Sequence, residues 1–168
     1  MATQGNKKLN VKGTGTPVME GACIVIVKTE WNAPIVDALE KGCVKALKAA
    51  KARIEVLTVP GAIEIPFSVK AYWDHAKYRD DRPQAFIALG CVVRGDTPHF
   101  DYVCQSVTQG VTQLNLTLPV PVVFGVLTVD NEQQARERIG GRHGHKGTEA
   151  AVTALKMVAL NKSFRNKR

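Results

Sequence analysis

No apolar run in this 168-residue sequence approaches the ~20 residues that a membrane span requires. The opening residues also lack the apolar stretch of a signal peptide, so the expected location is the cytoplasm. Cysteine is sparse: Cys23, Cys43, Cys91 and Cys104 lie far apart and form no C-x-x-C pair. That spacing removes the sequence grounds for a metal cluster or a redox pair and leaves reduced, structural thiols as the reading. Acid is missing from both ends. Residues 1–19 hold Lys7, Lys8 and Lys12, and residues 161–168 hold Lys162, Arg165, Lys167 and Arg168, with no Asp or Glu among them. These seven cations account for nearly all of the net charge of +8. Residues 20–160 carry 16 basic against 15 acidic side chains, a near-neutral body without the basic face that nucleic-acid binding requires. Any polyanion binding is confined to the tails.

What is present is one domain's worth of apolar sequence. At 45% hydrophobic residues, a chain of this length buries about 70% of its unfolded surface without disulfide or metal. Residues 1–19, with Gly5, Gly13, Gly15 and Pro17, show no apolar period and read as a flexible basic segment. The β-branched run Gly21 to Val27 reads as a strand buried on both faces. A helix follows through Ile35, Leu39, Cys43, Leu47 and Ala50. Ile54 to Val59 is a second strand, and the proline-bracketed stretch 60–66 leads into a helix through Val69, Tyr72 and Trp73. The charged stretch Asp74 to Gln84 reads as a surface loop. Ala85 to Val93 is a third strand, followed by a helix through Phe100, Val103, Val107, Val111 and Leu114 that stops before Pro119. Val120 to Val129 is the fourth strand. A short helix capped by Asp130 or Asn131 carries Arg136 and Arg138 in its last turn, and Gly140 to Gly147 breaks the chain before a final helix. Residues 161–168 form a basic tail.

Alternating strands and helices with right-handed crossovers predict an α/β fold, a single-domain three-layer αβα sandwich around a four-stranded parallel sheet. The loops after the strands then share one edge. They carry Trp31, the stretch Ala62 to Glu64, and the segment Gly90-Cys91-Val92-Val93-Arg94-Gly95-Asp96-Thr97-Pro98-His99. The last runs from strand to loop to helix start, where an α/β fold keeps its ligand, and its glycine, hydroxyl and free amides suit an anion. Read alone, such a loop is more often a turn with a helix cap.

Four ordered blocks make it specific. Trp31-Asn32, Pro60 to Pro66, Gly90 to Tyr102, and Pro121 to Thr128 running on to Glu137-Arg138 together resemble the 6,7-dimethyl-8-ribityllumazine synthase family from about Gly21 to Leu160. The resemblance implies a flavodoxin-like fold. It also implies an enzyme that condenses 5-amino-6-(D-ribitylamino)uracil with 3,4-dihydroxy-2-butanone 4-phosphate, releasing phosphate and water, with no metal or redox cofactor. By position it assigns Trp31 to stacking on the uracil ring, Ala62, Ile63 and Glu64 to the ribityl chain and ring edge, and Cys91, Val92 and Val93 to the ring's lining. Asp96 and Thr97 match phosphate positions. Asp96 suits that place only if its carboxylate turns away and its N–H faces inward. Arg138 would clamp the phosphate with its fork of donors, and His99 matches the residue that moves protons. Phe124, Lys146 and Arg138 match positions that reach the site from a neighbouring subunit, implying a homo-oligomer, a pentamer or a multiple of it. His145 stands where the family pattern has Asn. A non-catalytic binder of lumazine or flavin is the rival reading, and the presence of His99, Thr97 and Arg138 together argues against it.

Overall fold

The computed structural model describes residues 15–165. The expected flexible segment over residues 1–19 therefore lies, for residues 1–14, outside the described residues, as do the last three residues of the basic tail. Within the described part of the N-terminal segment, the amide of Met19 donates to the Ala50 carbonyl at 2.8 Å.

Four strands, β1 (Cys23–Thr29), β2 (Arg53–Val59), β3 (Ala85–Val93) and β4 (Val122–Val129), form one sheet in the order β2-β1-β3-β4. Every pairing is parallel. Three long helices follow the first three strands: α1 (Ala33–Ala49), α2 (Glu64–Ala76) and α3 (His99–Thr117). After β4 come the short α4 (Glu132–Arg136), a hairpin of β5 (Ile139–Gly141) and β6 (Gly144–His145), and α5 (Lys146–Arg165). The three-layer αβα sandwich expected from the alternation is the one observed, and the strand order is the flavodoxin-like one.

The side-chain period of two sorts the central strands onto both faces. In β1, Ile24 and Ile26 join α1 and α5 in one apolar cluster with Leu39, Leu47 and Leu155. Val25 and Val27 point the other way, into a cluster with Ile65 and Val69 of α2 and Val107 and Val111 of α3. Because β1 and β3 are covered on both sides, their residues read as continuous apolar runs. β2 lies at an edge and keeps Val56 and Thr58 exposed.

Several boundaries differ from the sequence reading, among them the end of α5, whose last turns take in residues 161–165 of the expected basic tail. The helix α2 runs through Ala76, so the polar stretch after Asp74 is helical for its first turn and becomes a loop only at Lys77. It also begins at Glu64, which places Pro66 in its first turn, where a missing N–H costs nothing. The helix α4 ends at Arg136, so Arg138 lies beyond it and not in its last turn. Finally, the glycine-rich break at 140–147 contains an antiparallel pairing, Ile139 with His145 and Gly141 with Gly144. Glycine reads as a chain breaker in sequence, whereas here positive φ at Gly140 (115°) and Gly144 (84°) shapes a tight hairpin.

Candidate active site at the carboxyl edge of the sheet

Strand order decides where a ligand fits before any side chain is considered. The chain leaves β1 outward to β2 and leaves β3 outward to β4 on the opposite side, so the loops after β1 and β3 diverge over a crevice at the strands' carboxyl ends. Trp31 stands on the first of these loops, Asp96, Thr97 and His99 on the second, and Ala62 to Glu64 on the neighbouring loop after β2.

The Trp31 side chain is 67% exposed, an unusual position for a large apolar ring that core packing does not explain. Its ring lies against Gly61, where a methyl group would come within 2.8 Å of Cζ3. Glycine at 61 is therefore what lets the indole approach the backbone. The next residue, Asn32, takes up the left-handed conformation (φ 59°, ψ 38°) and donates from Nδ2 to the Cys91 carbonyl at 2.8 Å. That one bond ties the Trp31 loop to the end of β3 across the crevice. Sequence reading gave Asn32 no role of its own; only the approach of β1 to β3 reveals it.

On the β2 side, the amide of Gly61 donates to Glu64 Oε2 at 3.0 Å, folding the carboxylate back over its own loop. Ala62 is buried, while Ile63 and Glu64 are exposed. At the end of β3, Cys91 is buried and Val92 and Val93 are half-buried. Burial, helped by the Glu132 carboxylate, pushes the Cys91 thiol up to about 11, so it is a neutral, apolar lining group near pH 7.

Asp96, Thr97 and His99 are all exposed, and His99 is the first residue of α3. Pro98 occupies the cap position and no side chain caps the helix, which leaves the His99 and Phe100 amides available to an anion, while the Asp101 amide bonds the Pro98 carbonyl at 3.0 Å. Arg94, on the same loop, is already engaged. Its Nε donates to Asp130 at 3.0 Å, its Nη2 lies 3.3 Å from Asp101, and its guanidinium sits 4.1 Å over the Phe100 ring. Arg94 thus braces the loop, another role invisible in sequence because its partners lie on α3 and beyond β4.

Phe124, Lys146 and Arg138 are not brought into this crevice. Phe124 pairs with Ala88 in mid-strand, five residues short of the carboxyl end of β4, or roughly 16 Å along the strand. Together with Lys146, Glu149, Ala150 and Met157 it lines a cavity of about 330 Å³ along the open edge of β4. Arg138 is fixed beside it: Nη2 donates to Glu149 Oε2 at 2.7 Å and Nη1 to Oε1 at 3.1 Å, and Nη1 also bonds the His143 carbonyl. A two-point pair of this kind sets the plane of the guanidinium. Glu149 is a third residue that sequence reading left without a role, since its partner is reached only through the hairpin.

One chain therefore carries two separated groups: an exposed indole, a carboxylate and an uncapped helix start around the switch point, and an aromatic, a lysine and an oriented arginine along the sheet's edge. Fold and loop placement define a doubly wound α/β protein whose loops after β1 and β3 part at the switch point of the sheet. A family model described as 6,7-dimethyl-8-ribityllumazine synthase matches residues 21–162. The chain is 47% identical over 165 residues to the protein of that name from Porphyromonas gingivalis, covering 96% of this chain and 99% of the relative. It is 47% identical over 144 residues to that of Bacteroides fragilis, covering 82% and 97%. To that of Cytophaga hutchinsonii it is 43% identical over 160 residues, covering 94% and 98%. The chain belongs to the 6,7-dimethyl-8-ribityllumazine synthase family.

Proposed function

We propose that the protein condenses 5-amino-6-(D-ribitylamino)uracil with 3,4-dihydroxy-2-butanone 4-phosphate to 6,7-dimethyl-8-ribityllumazine, releasing phosphate and water. The observation that carries this reading is the convergence of Trp31, the Gly61–Glu64 turn and the Cys91–His99 segment on one crevice in a chain of this family. Trp31 offers a flat face to the pyrimidine. Ala62, Ile63 and Glu64 hold the ribityl chain and ring edge, and Cys91, Val92 and Val93 line the ring with apolar surface.

The chemistry is proton traffic. Attack of the pyrimidine's primary amine on the ketone gives an imine with loss of water, and expulsion of phosphate requires a proton to leave the adjacent carbon. An imidazole serves both steps near neutral pH, and His99 stands beside the anion seat made by Thr97, the Asp96 amide and the start of α3. Arg138 holds the phosphate through the Nε–Nη2 edge of its guanidinium, Nη1 being shared by Glu149 and the His143 carbonyl.

Phe124, Lys146 and Arg138 complete the site from a second copy of the chain, which makes the functional unit a ring, a pentamer or a multiple of it. Two features support this. The three residues sit too far down the β4 edge to serve the crevice of their own chain. Phe67, Leu116, Met157 and Phe164 also leave large apolar side chains exposed, as expected of surfaces that another subunit covers. Mixing the two substrates with the protein and no added metal or cofactor should give lumazine absorbance and one phosphate per product. Product without phosphate release, or turnover that needs an added metal, would refute the reading.

A further inference from the structure

The hairpin that carries Arg138 is latched by a histidine the mechanism does not use. His145 immediately precedes α5, and its Nδ1 accepts a hydrogen bond from the Thr148 amide at 3.4 Å. It therefore fills the helix-capping role that Ser, Asp or Asn commonly performs. Its ring lies on α1 at Gly42, where a methyl group would overlap it. Beside it, Thr148 Oγ1 donates to the Gly42 carbonyl at 3.3 Å. Two residues with site roles hang on this latch. Lys146 is the next residue and donates its amide to the Arg138 carbonyl at 2.8 Å. Arg138 itself is held by Glu149, in the first turn of the helix that His145 caps.

We propose that His145 is a positioning residue for the anion end of the site: with Nδ1 unprotonated it caps α5 and seats the hairpin on Gly42, holding Arg138 and Lys146 in place, and a proton on Nδ1 unseats them. This rests on the reading of Arg138 as the phosphate clamp. Nδ1 can accept from Thr148 only while it carries a lone pair, so protonation sets two donors against each other. The surroundings oppose it as well. Burial pushes the imidazole below its usual range, hydrogen bonding to the backbone at His145 and Ala38 and the charge of Glu149 pull it upward, and the Arg138 guanidinium pushes it down again. The groups that face the ring are the Ala38 carbonyl of α1, the Glu149 carboxylate of α5 and the Arg138 guanidinium just before β5. His143, also on the hairpin, pairs instead with Glu137 at 3.2 Å, a contact that a proton strengthens.

The test is the pH dependence of KM for the sugar phosphate between pH 5 and 8, measured for the full chain, H145N and G42A. Asparagine caps a helix without titrating. The substrate phosphate and His99 are common to all three proteins, so the ratio of wild type to H145N isolates His145. Losing a cap corresponds to a factor of roughly two to thirty. KM of the wild type should therefore rise about tenfold relative to H145N as pH falls below 6.5, and match it within about threefold at pH 8. G42A should displace the ring and show the raised KM at every pH, with kcat little changed and thermal stability retained, since alanine favours the helix. Identical pH profiles for wild type and H145N, with Arg138→Ala still raising KM, would overturn the role of His145 alone. An unchanged KM in Arg138→Ala would overturn the clamp on which it rests.

Discussion

Asn32 offers the sharpest check on how the crevice is held. Its Nδ2 bond to the Cys91 carbonyl is 2.8 Å long and is the side-chain link between the loop of Trp31 and β3. Asn32→Asp keeps the size and the tolerance of the left-handed conformation but removes the donor, leaving a carboxylate against a carbonyl. The carbonyl loses its partner, at about 1–3 kcal/mol. Asn32→Ala loses the same bond and also puts at φ 59° a residue that tolerates the left-handed region less well than Asn or Asp. Urea unfolding at a fixed protomer concentration, which holds the linkage to assembly constant, should rank wild type above Asp and Asp above Ala. Both variants should raise KM for the pyrimidine, since the loop that carries Trp31 is no longer tied down. An Asn32→Asp protein as stable as wild type, beside a destabilised Asn32→Ala, would show that the backbone conformation matters and the bond does not.

His99→Ala should lower the rate by roughly 10²–10⁴ while leaving residual condensation from positioning; a rate within about twofold of wild type, read by lumazine absorbance, would remove His99 from the proton transfers. His99→Ala and Arg138→Ala proteins, each far below wild type alone at subsaturating sugar phosphate, should recover to about a quarter of wild-type activity when unfolded and refolded together, because random mixing puts an intact His99 beside a neighbour's intact Arg138 at about one site in four. Mixed rings without recovery would place both residues in one subunit's site or Arg138 outside it. The Cys91 thiol, pushed up to about 11 by burial, should resist alkylation at pH 7–8 in the folded protein. Folded Cys91 keeps its proton above the pH at which the unfolded thiol loses it, so this group's contribution to stability is complete below about pH 8.5 and falls as pH rises toward 11. Alkylation of the folded protein at the rate of the unfolded chain would contradict its burial.

Much of this protein was legible in sequence because the signals are local. The β-branched runs of β1 and β3, the apolar spacing of α1 and α3, and the proline and glycine punctuation each depend on a few neighbouring residues. The order of strands and helices then left few topologies open, and the loops with Trp31 and His99 followed to one edge. The hairpin at 139–145 was not legible, since glycines that break a helix are also those that make a tight turn, and only a partner strand distinguishes the two. Arg138 was misplaced within α4 for a related reason: a five-residue helix is too short for its end to be read from periodicity.

By itself the sequence determined the fold class, the edge at which the loops after the strands gather, and the family, because each rests on short-range pattern or on residue identity. Only the tertiary structure decided what those residues do to one another. Asn32 reaching Cys91, Glu149 orienting Arg138, Arg94 reaching Asp130 and Thr148 bonding Gly42 are contacts across 11 to 106 residues. No local propensity encodes such pairs. They arise when the sheet brings β1 beside β3 and packs α1 against α5, and the same packing separates the crevice from the residues along β4.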